Sequence, residues 1–65
     1  MSQLVEQLKA AIATFEDENQ KFEDGNGAAG TRARKALQEI TKLAKARRAE
    51  ITETKNSRKE AKLNG

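Results

Sequence analysis

The sequence predicts an all-α protein: an antiparallel two-helix coiled-coil hairpin that pairs with a second copy into a four-helix bundle. Three observations predict it. Pro is absent, and Ala, Glu, Lys, Leu, Gln and Arg dominate, so helix is favoured throughout. Apolar residues recur at alternating gaps of three and four on both sides of a single break, as in heptad seams. The break, Gly25-Asn26-Gly27-Ala28-Ala29-Gly30, is short enough that two helices meeting there fold back on each other. A flexible Gly/Ala linker between independent helices is the rival reading.

The first helix is expected over 2–24. Ser2 can cap its start, and Gly25, lacking a Cβ, can take the left-handed conformation that ends it. Its seam holds Val5, Ile12 and Asn19 alternating with Met1, Leu8, Phe15 and Phe22, with Leu4 and Ala11 alongside. Asn19 is polar in that row: either it fixes register or it meets water near the frayed end. Glu16, Asp17 and Glu18 point about 100° apart, so they form a solvated face and not a metal site.

The bend is expected over 25–30 and the second helix over 27–63, with 64–65 frayed. Asn26 and Thr31 compete as its cap; Asn26 is preferred. Gly27 and Gly30 point to close backbone approach. The second seam is Ala33, Leu37, Ile40, Ala44, Arg47, Ile51 and Thr54. Folding the chain at the bend sets Phe22 level with Ala33, Phe15 with Ile40, Ile12 with Leu43 and Ala44, Leu8 with Arg47, and Val5 with Ile51. Large residues thus meet small ones. Residues beyond about Lys55 overhang.

A chain of 65 residues makes one small domain, and so small a core usually needs a staple. With no Cys and no His, disulfides and ordinary zinc sites are excluded, which leaves oligomerisation. Leu4, Ala11, Ala36 and Leu43 fall on one side of the proposed seam and are the expected homodimer interface; dimer and tetramer both fit.

Charge is divided unevenly. Residues 1–30 hold six acids against two lysines, net −4, whereas residues 31–65 hold eleven cations against four acids, net +7. On the second helix the cations gather on one flank, with hydroxyl and amide groups between them, while Glu39, Glu50, Glu53 and Glu60 lie elsewhere. A basic stripe on a rod about 50 Å long can follow several phosphates. No aromatic interleaves with it, so backbone contact with double-stranded DNA fits better than base stacking. The expected contacts are Arg32, Arg34, Lys35, Lys42, Lys45, Arg48, Lys55, Arg58, Lys59 and Lys62. Arg32 to Lys35 would also profit from the helix N-terminus. Arg47 sits in the seam and reads as structural. The bland rival is a solvated lysine-rich face on a coiled-coil protein–protein module, and RNA presents the same phosphates. Membrane-surface binding ranks low without Trp, and no run is long enough to cross a bilayer. With no His, no Cys and no pocket-sized core, no catalytic group or cofactor is expected. A cytoplasmic, nucleoid location follows from that reading.

The stretch Gly25-Asn26-Gly27-Ala28-Ala29-Gly30-Thr31-Arg32-Ala33-Arg34-Lys35, followed by Leu37-Gln38-Glu39-Ile40, Leu43-Ala44 and Arg47-Arg48, resembles the N-terminal domain of the bacterial linker-histone-like nucleoid proteins of the chlamydial type. The resemblance spans roughly residues 4–56 and is most specific at Gly-Asn-x-Ala-Ala-x-x-Arg-x-Arg. It implies a DNA-binding, nucleoid-associated protein. The chlamydial proteins continue into a long Lys/Ala-rich tail; here Lys55 to Gly65 carry only Lys55, Arg58, Lys59 and Lys62 against Glu60. Binding is therefore expected to rest on the folded part and its pairing.

Overall fold

Helix-favouring composition broken once by a glycine yields two helices and one turn. The computed structural model describes residues 2–64, and side chains as far as Lys59. Helix α1 spans Gln3–Glu23 and helix α2 spans Gly27–Asn64, packed as an antiparallel hairpin 58 × 16 × 14 Å. The longest dimension is the length of α2 itself, since 38 residues rise about 57 Å.

Each terminus at the turn is satisfied locally. Gly25 N–H donates to Phe22 O (2.9 Å) and Asn26 N–H to Lys21 O (3.0 Å), the two bonds of a Schellman stop. Gly25 takes φ 105°, alone in the positive region among the described residues. Asn26 then starts α2 at once: its Oδ1 accepts from Ala29 N–H at 3.2 Å, so Asn26, not Thr31, is the cap. The joint is three residues long. A Cβ at Gly25 meets no atom but must adopt the disfavoured φ, whereas one at Gly27 meets open space in ordinary helix. We therefore expect Gly25→Ala to destabilise by about 1–2 kcal/mol. Gly27→Ala should stabilise by up to about 1 kcal/mol. Urea melts of the two variants check the opposite signs.

On α2 the interface is rotated about 50° from the expected seam, whereas on α1 it keeps most of it. On α2 the inward row is Ala29, Ala33, Ala36, Ile40, Leu43, Arg47 and Glu50; Ala29, Ala33, Ala36 and Leu43 are its buried members. Leu37 and Ile51, placed in the seam by periodicity, lie 45% and 44% exposed, and Thr54 is exposed as well. On α1 the half-buried positions include Leu4, Val5, Leu8, Ala11, Phe15, Glu18 and Asn19, so Val5, Leu8, Phe15 and Asn19 hold their expected places, while Ile12 and Phe22 are exposed. Met1 lies outside the described residues.

The physical reason is close approach. Three alanines on α2 present a flat surface to the bulkier residues of α1, so the backbones draw together along that row. Gly30 extends it: a Cβ there would stand 2.7 Å from Phe22 Cδ1, so the ring lies directly on the backbone. Gly27 makes no such approach.

Register differs too. Ser2 reaches Glu50 and Phe22 lies on Gly30, so level residues sum to 52, not the 55 expected. Consequently α1 ends opposite Glu50, and every residue from Ile51 to Lys59 is exposed. The overhang begins about five residues earlier than periodicity suggested.

A polar latch closes the open end of the hairpin. The Ser2 hydroxyl donates to Glu50 Oε1 (2.7 Å) and accepts from Leu4 N–H (3.2 Å), capping α1. Arg47 Nη1 donates to the same Glu50 oxygen at 2.8 Å. The Ser2 hydroxyl first, and then the Arg47 guanidinium, hold the Glu50 carboxyl below its ordinary 4.5. A depressed carboxylate stabilises the fold above its unfolded value, and the benefit disappears as pH falls through the folded value. Helicity of the wild type should therefore decline below about pH 4.5. Ser2→Ala should cost about 1 kcal/mol of capping at every pH, and circular dichroism against pH should show a shallower decline in acid than the wild type.

Candidate nucleic-acid interface

With the inward row fixed, the outward face of α2 follows from helical spacing. On the side of α2 turned away from α1 and on its two shoulders lie Thr31, Arg34, Lys35, Gln38, Thr41, Lys42, Lys45, Arg48, Ala49 and Thr52, continued on the overhang by Lys55, Asn56 and Lys59, all exposed. No acid interrupts them as far as Thr52; Glu53, five full turns after Lys35, shares its row. The stripe thus covers the back of the hairpin and reaches onto both flanks at Arg34 and Lys35. From Arg34 to Lys59 it runs about 37 Å.

Among the described residues, no carboxylate lies within ion-pair distance of Arg34, Lys35, Lys42, Lys45, Arg48, Lys55 or Lys59. The acids of α2 sit on the inward or flanking rows: Glu50 in the latch, Glu39 and Glu53 on the side beside Arg32. The cations therefore face water without internal partners. Repulsion among them is relieved when phosphates displace the surrounding counterions.

Three expectations need correction. Arg32 is off the back: its Nε donates to Glu18 Oε2 at 2.7 Å, and Glu18 also lies 3.8 Å from Lys21. Its guanidinium ties the two helices together beside the turn. Arg32 to Lys35 gain nothing from the helix N-terminus, because α2 starts at Gly27 and the dipole acts over the first turn only. Two of the three hydroxyls of the stripe are engaged as well: Thr41 Oγ1 donates to Leu37 O (3.0 Å) and Thr52 Oγ1 to Arg48 O (3.1 Å), so neither of those protons is free for a phosphate.

The remaining positions divide by place. Arg58 stands on the overhang, beside the same groove as Ser2, Arg47 and Thr54. The side chain of Lys62 lies outside the described residues. Arg47 occupies the inward row and is held by Glu50, the structural place its spacing suggested. Of the expected dimer contacts, Ala36 and Leu43 are each 7% exposed, packed inside the hairpin, and Leu4 and Ala11 line the same interface. A dimer cannot use Ala36 and Leu43 unless the hairpin opens.

Sequence reasoning did not single out Glu18 and Glu50. Each lies one helical step from an apolar seam position; Glu18 reads as part of a solvated face, and Glu50 only as lying off the basic stripe. The signal was available as spacing: the Glu18-to-Arg32 and Ser2-to-Glu50 pairs both span the turn at nearly the same level.

No helix among the described residues is long and apolar enough to cross a membrane. No curated protein and no solved structure matches the chain. The family model described as Histone H1-like protein Hc1 matches residues 2–57. It takes in both helices, the turn and the cationic back as far as Lys55. That family comprises nucleoid structural proteins, not enzymes, and the expectation from the Gly25–Lys35 bend is met. A two-helix hairpin whose outer surface is a row of unpaired cations suits DNA binding and nucleoid organisation, and the chain belongs to the histone H1-like Hc1 family.

Proposed function

We propose that the hairpin binds double-stranded DNA without sequence preference, through phosphate contacts from the back of α2, and so organises the nucleoid in the cytoplasm. The observation that carries the reading is the row Arg34, Lys35, Lys42, Lys45 and Arg48: exposed, unpaired and free of acids over the part of α2 that α1 holds rigid. Lys55 and Lys59 prolong it on the overhang, where Arg58 adds charge from the side of the Ser2 groove. A rigid helix loses little order when it meets a duplex, so the electrostatic gain is retained.

The row supplies point charges and no groove-reading element. Neither Phe stands on it, so bases are not stacked. Arg34 and Arg48 can each present a guanidinium fork to a phosphate, and the lysines add charge alone. Contacts of this kind position a protein on DNA but carry no sequence information. Arg32 joins them only by leaving Glu18, an exposed exchange worth about 1 kcal/mol or less.

A gel-shift series with unrelated duplexes of equal length, and with double-stranded RNA beside them, tests the proposal. Equal affinity across DNA sequences is expected. About five phosphate contacts give a log–log salt slope near −4.5. A strong preference for one duplex sequence, or binding indifferent to salt, contradicts it. Binding as a homodimer would double the contacts and raise the avidity on long DNA.

A further inference from the structure

The cations of α2 stand in two rows. Lys35 shares a groove with Ala11 and Glu18 of α1, and Arg34 shares one with Phe15 and Phe22, so neighbours in sequence reach opposite flanks of the hairpin. Helical spacing extends both rows: Lys42 follows Lys35 after two turns, and Arg48 follows Arg34 after four. The two shoulders stand about 100–120° apart. Between them runs a crest of Thr31, Gln38, Lys45 and Ala49, all exposed, with Lys45 its one charge.

We infer that the back of α2 seats in the major groove of the duplex, with Lys35 and Lys42 against one phosphate wall and Arg34 and Arg48 against the other. The inference deepens the phosphate-binding reading of that back and rests on it.

Dimensions select the groove. An α-helix with its side chains is about 10–12 Å across, and the major groove of B-form DNA is about 12 Å wide. The minor groove, about 6 Å wide, cannot take it. A duplex lying outside the helix would meet it along a narrow line, as two convex cylinders do. Such a contact serves one shoulder or the crest and leaves the other cations in water. A groove with a charged wall on each side serves both shoulders at once.

The run of charge agrees. Cations occupy both shoulders from Arg34 to Arg48, a length of about 21 Å. Past Arg48 they keep to one: Lys55 and Lys59 continue the Arg34 side, whereas Glu53 stands in the row of Lys35. A straight helix follows a curving groove only briefly, after which a single wall stays within reach. Glu39 lies about 40° beyond Lys35 toward α1, at the mouth of the groove and not inside it. Helix α1 lies across α2 from the crest, so its outward acids Glu6 and Asp17 face away from the phosphates.

Seating is not sequence readout. Of the four crest side chains, Gln38 and Lys45 are long enough to meet base edges, and two contacts do not define a site. Affinity comes from the walls, so equal binding across DNA sequences is still expected. The seating does separate DNA from RNA, which charge alone does not, because the major groove of A-form RNA is deep, narrow and closed to such a helix.

Two copies of one duplex test the inference: one with plain cytosine, the other with every cytosine 5-hydroxymethylated and glucosylated. The sugar is uncharged and fills the major groove, so the phosphates keep their charge and only access changes. In gel shifts at about 0.1 M salt, the glucosylated duplex should bind the wild-type chain at least about tenfold more weakly than the plain one. Double-stranded RNA of the same length should bind weakly to a similar degree. Equal affinity for the plain and glucosylated duplexes, or for RNA and plain DNA, overturns the seating and leaves the phosphate-binding reading in place. A plain duplex that is not bound even at low salt overturns that reading, and the seating with it.

Discussion

Replacing Arg34, Lys45 and Arg48 together with Ala should weaken duplex binding by roughly two to three decades at 0.1 M salt, to the same extent on every sequence. Each phosphate contact contributes about 0.9 to the log–log salt slope, so the slope should fall from about −4.5 to about −2. The fold should survive, because all three side chains are exposed and Ala is the best helix former. The same triple replacement on the acidic helix, at Glu6, Glu16 and Asp17, should leave the slope unchanged and raise affinity slightly. Fluorescence anisotropy over a salt series reads both. A triple variant of unchanged slope would mean that the phosphates are held elsewhere.

Leu43→Ala should cost about 2–3 kcal/mol, the largest stability effect of any single truncation in the chain. Leu43 is the one large side chain among the four buried residues, and its neighbours Ala36 and Ile40 cannot expand to fill the space. A core of this size has no reserve to absorb the loss, so the variant should be largely unfolded at 25 °C. Leu37→Ala serves as the contrast: at dilution low enough to keep hairpins apart, it should cost less than about 1 kcal/mol, because Leu37 is 45% exposed. Periodicity alone would have ranked the two the other way round. Thermal melts followed by circular dichroism decide between the rankings.

That reversal shows what the sequence could express. Gly25 and Asn26 made the turn legible, since a left-handed stop followed by a cap needs those two residue types in that order. Helix content was legible from composition. The rotation of α2 was not, because two heptad rows compete on it: one of large residues such as Leu37 and Ile51, and one of small residues such as Ala29, Ala33 and Ala36. Hydrophobicity favours the first row. Close packing favours the second, and packing wins within the hairpin because backbones approach over alanine. The more hydrophobic row is then left outside.

The cationic row was legible in part. Arg34, Lys35, Lys42, Lys45 and Arg48 could be grouped from spacing, whichever way the helix was turned, since no acid interrupts them. What spacing could not supply was the state of each cation. Arg32 differs from Arg34 only in facing Glu18 across the turn, which is a tertiary relation. The Thr41 and Thr52 hydroxyls look available in the sequence, but they turn back to their own helix.

The most direct measurement of the central claim is a heteronuclear NMR titration of the hairpin with a short duplex at low salt. Amides and side-chain signals of Arg34, Lys42, Lys45 and Arg48 should shift first and together, with those of Glu6, Ala13 and Gln20 on the outer face of α1 unmoved. Shifts centred on α1, or spread evenly around both helices, would contradict the account.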